Sequence, residues 1–146
     1  MAKWGIDISS WQKGIDLATA KREGIEFAIL RAGYSTTKDN QFETFYSQCK
    51  SLGIPVGAYL YSYATTVDQA KAEALLEFLK GKQFEYPIVL DMEDKRQKAL
   101  SKESNDAMIK AFGEIIENAG YWFSVYTNVD FYKNYCNGKT LNAKYD

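Results

Sequence analysis

Histidine is absent from the sequence, and this absence removes several classes of enzyme. The Ser-His-Asp and Cys-His catalytic arrangements and the HExxH zinc site all need an imidazole side chain. Carboxylates, tyrosines or lysines must therefore carry out any proton transfer. Cysteine is also scarce: Cys49 and Cys136 form no CxxC pair, so the sequence indicates neither a zinc site nor dithiol redox chemistry. We expect both cysteines to pack in helices, and we expect no metal or cofactor.

The sequence also lacks a long apolar run and an excess of charge of one sign. No run approaches the length that spans a membrane, and residues 1–3 lead into the first predicted strand without the apolar core of a signal peptide. With 18 basic and 19 acidic side chains the net charge is -1, which provides no electrostatic surface for nucleic acid. We therefore expect synthesis in the cytoplasm and no nucleic-acid or membrane partner.

Five apolar runs alternate with five helical patterns along the chain. The runs predict strands at residues 4–8, 25–34, 55–63, 86–94 and 122–128. The first four helices are predicted to be capped by Asp16, Asn40, Thr66 and Ser101, and the fifth helix covers residues 129–135. The third of these helices is predicted to have an apolar face of Ala70, Ala74, Leu75, Phe78 and Leu79. This alternation predicts right-handed parallel units, hence an α/β sheet or barrel in one domain over residues 1–146.

The length of the chain limits how much of a barrel it can form. An eight-stranded β/α barrel usually takes about 250 residues, with 200 as a usual lower figure. Five strand-helix units leave such a barrel unclosed, and residues 141–146 resemble the approach to another strand. One interpretation is a small open sheet, and the other is an incomplete barrel, that is, a fragment of the barrel fold. We expect the incomplete barrel.

The acids at the end of the fourth run are the first candidates for catalysis. Side chains alternate along a strand, so Asp91 and Glu93 point to one face and Met92 points to the other. Asp7 lies near the carboxyl end of the first strand, and a curled sheet brings it to the same cluster. Neighbouring carboxylates repel one another when all are ionised, so the pKa of at least one of these acids should be raised. We expect Glu93 to be the proton donor.

This arrangement is typical of glycoside hydrolysis, in which one carboxylic acid protonates the leaving oxygen and another carboxylate supports the cationic sugar or activates a nucleophile. Residues two apart on a strand are about 6.6 Å apart at the backbone. Carboxylate separations of about 5 to 9.5 Å cover both retention and inversion, so the spacing does not distinguish them.

Each candidate residue also has a structural interpretation. The acids can cap turns or form salt bridges, and Asp94 fits that interpretation. The tyrosines of the predicted strands can line a sugar cleft or pack at an edge. Arg31 can orient substrate in the cleft or neutralise Asp7. A different enzymatic alternative makes Asp91, Glu93 and Asp94 ligands of Mg²⁺ in phosphoryl or sugar-phosphate chemistry, although no Gly-rich phosphate loop accompanies them.

Five short motifs together give the sequence a family resemblance. They are GIDISSWQ at 5–12, ILRAGYS at 29–35, GAYLY at 57–61, LDMED at 90–94 and VYTN at 125–128. In this order and at this spacing the motifs resemble glycoside hydrolase family 25, the Chalaropsis-type lysozymes found among phage endolysins and bacterial autolysins. The resemblance covers the whole chain.

The resemblance implies a flattened β/α barrel that acts at the bacterial cell wall as an N-acetylmuramidase. Such an enzyme cuts the β-1,4 bond between N-acetylmuramic acid and N-acetylglucosamine in peptidoglycan. By the same resemblance Glu93 would be the general acid, and Asp7 and Asp91 would be supporting carboxylates. Substrate contacts would come from Tyr61 and Tyr126 and also from Arg31, Tyr34, Tyr59 and Asn128.

The sequence departs from the family pattern at its end. The family's last strands bring a fourth acid to the cluster, and Asp146 resembles instead an Asp that precedes the next strand. We therefore expect a domain without its last strands and a form with weak or no activity, and a peptidoglycan-binding module is the alternative function. The first strand would keep an unpaired edge, which favours a dimer or a partner segment.

Overall fold

A computed structural model describes residues 1–74 and 76–145 of the chain. Within that part the strands are β1 (Gly5–Ile8), β2 (Phe27–Tyr34), β3 (Thr37–Lys38), β4 (Val56–Tyr61), β5 (Ile88–Asp91) and β6 (Phe123–Tyr126). The α-helices are α1 (Leu17–Arg22), α2 (Phe42–Leu52), α3 (Val67–Glu73), α4 (Lys102–Asn118), α5 (Val129–Asn134) and α6 (Gly138–Lys144). Short 3-10 turns cover Ser10–Gln12, Leu76–Phe78 and Gln97–Ala99.

The main sheet has the strand order β1-β2-β4-β5-β6, and each pair of neighbours is parallel. Each of these strands is followed by a helix, which gives the five strand-helix units that the sequence predicts. The short strand β3 is antiparallel to β2 and was not predicted, because its two residues carry no periodic pattern. All five carboxyl ends of the parallel strands lie at one edge of the sheet, where ligands bind in such folds.

The two faces of the sheet differ in burial. One face packs against the helices and carries the fully buried core, which includes Leu30, Ala58 and Leu90. Side chains of the other face remain partly accessible, among them Ile29 and Val89. Because side chains alternate along a strand, this division means that every second residue of β2, β4 and β5 points away from the helices. The open face is therefore where a site can form.

Local signals determine most helix ends. The side chains of Asp16, Thr66 and Ser101 each accept a backbone N–H three residues further on and cap α1, α3 and α4 as predicted. Gly53 ends α2 in the left-handed conformation, at φ 64°, which glycine adopts without a steric penalty. The predicted caps of α1, α3 and α4 are thus confirmed.

The predicted cap at Asn40 is wrong. The residue before α2 is Gln41, and its side chain makes no capping hydrogen bond. Asp39 accepts the Gln41 N–H at 2.8 Å instead. The carboxylate of Asp39 is fixed by contacts with distant parts of the chain, and these contacts outweigh the local preference at Asn40.

Three further predictions concern the cysteines and the last residues. Cys49 lies in α2 as expected, but Cys136 lies in the turn between α5 and α6, where it is buried by tertiary packing. The segment that we interpreted as the approach to a strand is helical as far as Lys144. Leu75 and Asp146 lie outside the described residues. In the described part of the chain, no helix combines the length and the apolar character that crossing a membrane requires.

Candidate active site

A cavity of about 400 Å³ opens on the uncovered face of the sheet, towards the carboxyl ends of the strands. Its lining residues come from all five parallel strands and from the segment just after β5. They are Asp7, Ile29, Tyr59, Val89, Asp91, Glu93 and Tyr126. The structure thus brings all three predicted acids together over a floor that is partly apolar.

Strand geometry explains why the acids converge. Asp91 ends β5 and Glu93 follows two residues later, while Met92 between them is buried in the core at 1% exposure. This is the alternation expected for an extended chain. Asp7 reaches the same cavity from β1, across β2 and β4.

Asp91 is the electrostatically perturbed member of the cluster. Burial, followed by the negative charges of Glu93 and Asp7, raises the pKa of Asp91 to about 7. One of its oxygens, Oδ1, is buried and has no hydrogen-bond partner in the part of the chain that the structure describes. A raised pKa was predicted for this cluster, and it is found at Asp91. The reason is depth, since Asp91 lies within the strand.

Glu93 is oriented by Asn128. The Asn128 side-chain amide donates a hydrogen bond to Oε2 of Glu93 at 2.8 Å. The same side chain accepts the Phe131 N–H at 2.8 Å and thereby caps α5. These two contacts fix the Asn128 side chain at the amino end of α5. The orientation of the Glu93 carboxyl group is therefore fixed by its hydrogen bond to Asn128.

Gln97 joins the chain segments that leave β4 and β5. Its Oε1 accepts the Asp94 N–H at 3.0 Å, and its Nε2 donates to the carbonyl oxygens of Ser62 and Ala64 at 3.2 and 3.1 Å. Gln97 is fully buried, and Asn105 of α4 donates to its carbonyl oxygen at 3.0 Å. The side chain of Gln97 therefore holds the backbone at Asp94, directly after Glu93.

Glu73 completes this network from α3. Its carboxylate accepts the Ser62 hydroxyl at 2.5 Å and the Tyr63 N–H at 2.9 Å, and it is only 3% exposed. These contacts supply partners for a buried carboxylate and for backbone beyond the last ladder hydrogen bond of β4. Neither Glu73 nor Gln97 was predicted as a site residue, because no sequence pattern indicates contacts with segments so far along the chain.

The predicted tyrosines border the cavity in different ways. Tyr59 lies in its wall, and Tyr126 is 54% exposed at its rim. Tyr61 pairs with Asp91 in the register of β4 and β5. Burial first, with the nearby acids adding to it, raises the pKa of Tyr61 to about 12, and burial raises the pKa of Tyr59 to about 12 as well. Both phenol groups are therefore uncharged at neutral pH and can form hydrogen bonds.

Arg31 has a different partner from the one considered in the sequence. Its Nε and Nη2 contact Oδ2 of Asp39 at 2.8 and 2.7 Å, and Nη2 also donates to the Ser10 hydroxyl at 2.9 Å. Burial opposes ionisation of Asp39, but hydrogen bonds from the Gln41 and Ser10 amides and from Arg31 lower its pKa. Arg31 is thus neutralised by Asp39 and not by Asp7. Its guanidinium carbon lies 5.6 Å from the centre of the Tyr34 ring.

Asp94 turns away from the other two acids of its motif. Its Oδ1 accepts the Arg96 N–H at 3.0 Å and lies 3.3 Å from Nε of Arg96, so the structural interpretation is correct for this residue. Among the described residues, no group of three or more carboxylates or thiols is placed to hold a metal ion. The magnesium alternative therefore lacks the third ligand that it invoked.

The model of the family described as Glycosyl hydrolases family 25 matches residues 6–146. The chain belongs to this family. The autolytic lysozyme of Clostridium acetobutylicum is 28% identical over 134 residues, which are 91% of this chain and 40% of that protein. The modular autolysin LytC of Streptococcus pneumoniae has a TM-score of 0.85 and 26% identity, over 95% of this chain and 35% of LytC. LytC in complex with a synthetic peptidoglycan ligand has a TM-score of 0.84 and 25% identity over the same shares.

Membership of family 25 confirms the predicted fold class. The five parallel strands with their helices form an open α/β sheet that fits a flattened, incomplete β/α barrel. The chain spans 40% of the length of the Clostridium lysozyme and 35% of the length of LytC.

Replacing Asp91 by Asn should stabilise this family 25 domain at high pH. Since the pKa of Asp91 in the folded state is about 7 and its ordinary value is 3.8, ionisation destabilises the folded state as the pH rises through that window. We expect Asp91→Asn to raise the free energy of unfolding at pH 8 by about 1–3 kcal/mol, less than the full shift because the carboxyl is only partly buried. The gain should disappear near pH 4. Urea unfolding at pH 4 and pH 8 measures the free energy of unfolding of both proteins. Asp68→Asn, at an exposed position, is the control. A difference between Asp91→Asn and wild type that is the same at both pH values would contradict the prediction.

Removing the hydrogen bonds of Gln97 should destabilise the fold. Gln97→Met keeps the side-chain length but leaves the Asp94 N–H and the carbonyls of Ser62 and Ala64 without this partner. We expect the free energy of unfolding to fall by about 2–4 kcal/mol, because unsatisfied buried groups retain their desolvation penalty. Gln48→Met on the exposed side of α2 should change it by less than about 0.5 kcal/mol. Equal values for the two variants would show that Gln97 does not hold the segment.

Proposed function

We propose that the chain acts as an N-acetylmuramidase, which hydrolyses the β-1,4 bond between N-acetylmuramic acid and N-acetylglucosamine in bacterial peptidoglycan. The observation that carries the proposal is the convergence of Asp7, Asp91 and Glu93 in one cavity at the carboxyl end of the sheet. Family membership supports it, as do a relative that is an autolytic lysozyme and a LytC structure with a synthetic peptidoglycan ligand. In this proposal residues 1–146 act as one unit, and the place of action is the bacterial cell wall.

The proposed chemistry needs one protonated and one ionised carboxyl group. The raised pKa of Asp91 means that the cluster retains a proton near neutral pH, and closely coupled acids share such a proton. Glu93 donates it to the departing glycosidic oxygen, since Asn128 holds one oxygen of Glu93 and orients the carboxyl group. Asp7 and Asp91 then stabilise the positive charge that develops on the sugar or position the attacking water.

The proposed substrate contacts follow the edge of the cavity. Tyr126 and Tyr59 present rings to a sugar beside the acids. Tyr61 continues this wall and leads to Tyr34 and to Arg31, which forms part of the cleft while paired with Asp39. Asn128 contributes through Glu93, because its amide is engaged there.

Glu93→Gln tests the proposal most directly, since it preserves the shape of the side chain and its contact with Asn128 but removes the acidic proton. We expect release of reducing ends from purified peptidoglycan to fall by at least about 100-fold, the usual contribution of a general acid. Wild-type activity should also decline as the pH rises through about 7, because the cluster then loses its shared proton. Glu103→Gln, on the exposed first turn of α4, is the matched control and should retain full activity. Activity that survives Glu93→Gln would exclude Glu93 as the acid.

The alternative function is binding to peptidoglycan without efficient cleavage. The open sheet favours it, since the cavity has walls from five parallel strands and a wide mouth. Co-sedimentation with peptidoglycan separates the two functions. If wild type and Glu93→Gln both sediment with the polymer and neither releases reducing ends, binding is the function. If wild type releases them and Glu93→Gln only binds, the hydrolase proposal holds.

We also propose that two copies of the chain associate through the edge of the sheet at β1. This strand is at the end of the strand order, and Trp4 just before it is 76% exposed. An edge strand offers backbone groups to a second chain. Sedimentation velocity should show a species of twice the 16.6 kDa chain mass that increases with protein concentration. A single 16.6 kDa species at every concentration would contradict this proposal.

A further inference from the structure

A cavity formed by helix and turn residues lies where the start of α4, the end of α5 and the start of α6 meet. Its volume is about 310 Å³. The polar side chains that line it belong to Lys102, Tyr132, Lys133, Asn137, Lys139 and Thr140. These residues are separate from those that line the acid cavity, and none of them takes part in the proposed hydrolysis. The cavity is therefore a candidate site of its own, and three lysines dominate its chemistry.

The three lysines of this cavity are not neutralised by carboxylates. Among the described residues, the ion pairs do not include Lys102, Lys133 or Lys139; their cations are Arg31, Lys38, Lys50, Lys82, Arg96 and Lys98. Lys133 and Lys139 are exposed, and Lys102 is partly buried. The net charge of the whole chain is -1, and it conceals this local concentration of positive charge. Uncompensated cations around a concave surface attract an anionic ligand.

Acids on the same helices leave these charges free. Asp106 of α4 accepts the Asn137 N–H at 3.0 Å on one carboxylate oxygen and the Asn137 side-chain amide at 2.6 Å on the other. Asp130 of α5 is paired with Lys98 at 2.6 Å. Glu103, in the first turn of α4, is exposed and lies outside the lining of the cavity. In the part of the chain that the structure describes, the lining therefore carries positive charge and no negative charge.

Two contacts give the cavity a fixed shape. The ammonium group of Lys102 donates to the Lys133 carbonyl oxygen at 2.9 Å, which holds its charge at the end of α5. Gly138 at the start of α6 is buried, and its backbone packs so closely on the Tyr132 ring that a side chain at this position would overlap the ring. Because the charged group and the cavity wall are already in place, little conformational freedom is lost when a ligand binds.

Ammonium and hydroxyl groups together favour a ligand that carries phosphate. Lysine binds phosphate as a point charge and needs none of the planar two-point geometry that arginine uses for carboxylates. The described lining contains no arginine. The Thr140 hydroxyl and the Tyr132 phenol can donate hydrogen bonds to phosphate oxygens and accept them from hydroxyl groups of a ligand. Because three separate lysines surround the cavity, a polymer with repeated phosphates can engage more of them than a single anion can.

We infer that this cavity binds a polyol-phosphate polymer of the bacterial wall, with Lys102, Lys133 and Lys139 as the residues that contact its phosphate groups. The anion site follows from the residues of the cavity. The choice of a wall polymer rests on the proposed function, which places the chain at the bacterial cell wall. In such a polymer phosphodiester groups alternate with hydroxyl-bearing units, and the cavity offers partners to both. Binding there holds the chain on the wall while the acid cavity acts on peptidoglycan.

The test compares the double variant Lys133→Gln/Lys139→Gln with a matched control, Lys71→Gln/Lys80→Gln. Both variants remove two positive charges at exposed positions, and no ion pair of the described residues includes Lys71 or Lys80. The probe is poly(glycerol phosphate), and its binding is followed by calorimetry in about 50 mM NaCl, where charges are weakly screened. We expect Lys133→Gln/Lys139→Gln to weaken binding about tenfold or more and the control to weaken it less than about threefold.

Two further measurements identify the contact as one between charges. Lys133→Arg/Lys139→Arg keeps both cations and should bind the polymer within about threefold of wild type. Raising NaCl from about 50 to about 300 mM should weaken wild-type binding about tenfold or more, because salt screens exposed charges. Thermal unfolding of each variant near the wild-type temperature confirms that it is folded.

The remaining outcomes overturn the inference. It fails if poly(glycerol phosphate) does not bind to wild type, or if Lys133→Gln/Lys139→Gln binds it no more weakly than the control does. Polyglutamate with the same number of charges is the carboxylate comparison, and single-stranded DNA with the same number of phosphates is the nucleic-acid comparison. If either polymer binds more tightly than poly(glycerol phosphate) and with the same dependence on the two lysines, the assignment to a wall polymer is wrong.

The hydrolysis assay keeps this inference separate from the proposed function. If wild type binds poly(glycerol phosphate) through the two lysines but releases no reducing ends from purified peptidoglycan, the anion site stands and the hydrolase proposal fails. If wild type releases reducing ends but does not bind the polymer, the hydrolase proposal stands and the inference fails.

Discussion

The hydrogen bonds that Gln97 forms between the ends of β4 and β5 are the interaction on which the site depends. Inside the sheet each strand is held by its neighbours, but this ladder ends near Tyr61 and Asp91. Beyond it the buried backbone needs other partners. The Ser62 N–H donates to the Asp91 carbonyl at 2.9 Å, and Gln97 holds the Asp94 N–H at 3.0 Å. Glu93 lies between these two fixed points, so the position of its backbone follows from contacts made by other residues.

The division between the two faces of the sheet explains where the acids can be. The face covered by helices is filled with aliphatic and aromatic side chains, and a carboxylate there would lose its hydration without compensation. The open face gives Asp7 and Glu93 access to water and leaves Asp91 half-buried beneath them. The raised pKa of Asp91 is the direct result of this depth. The same burial that keeps a proton on Asp91 near neutral pH makes the folded state less stable when Asp91 ionises.

Much of this architecture follows from local sequence, and some of it does not. The strands were predictable because continuous aliphatic runs such as 88–90 are typical of buried parallel strands. The common orientation of Asp91 and Glu93 was predictable from alternation. Contacts between distant segments were not: Asp39 reaches Arg31 and Ser10 across the sheet edge, and Cys136 is buried in a turn by packing that no pattern of its own sequence indicates. Burial within the strand raises the pKa of Asp91, and periodicity carries no information on such depth.

The burial of the two cysteines makes the fold insensitive to the redox potential of its surroundings. Cys49 and Cys136 are unpaired thiols, exposed at 0% and 2%, and burial raises the pKa of each to about 11. The thiolate is the form that reacts with oxidants, alkylating agents and disulfides, and so little of it exists at neutral pH that both side chains are chemically inert. The packing of the core therefore needs neither a reducing medium to protect it nor an oxidising one to complete it.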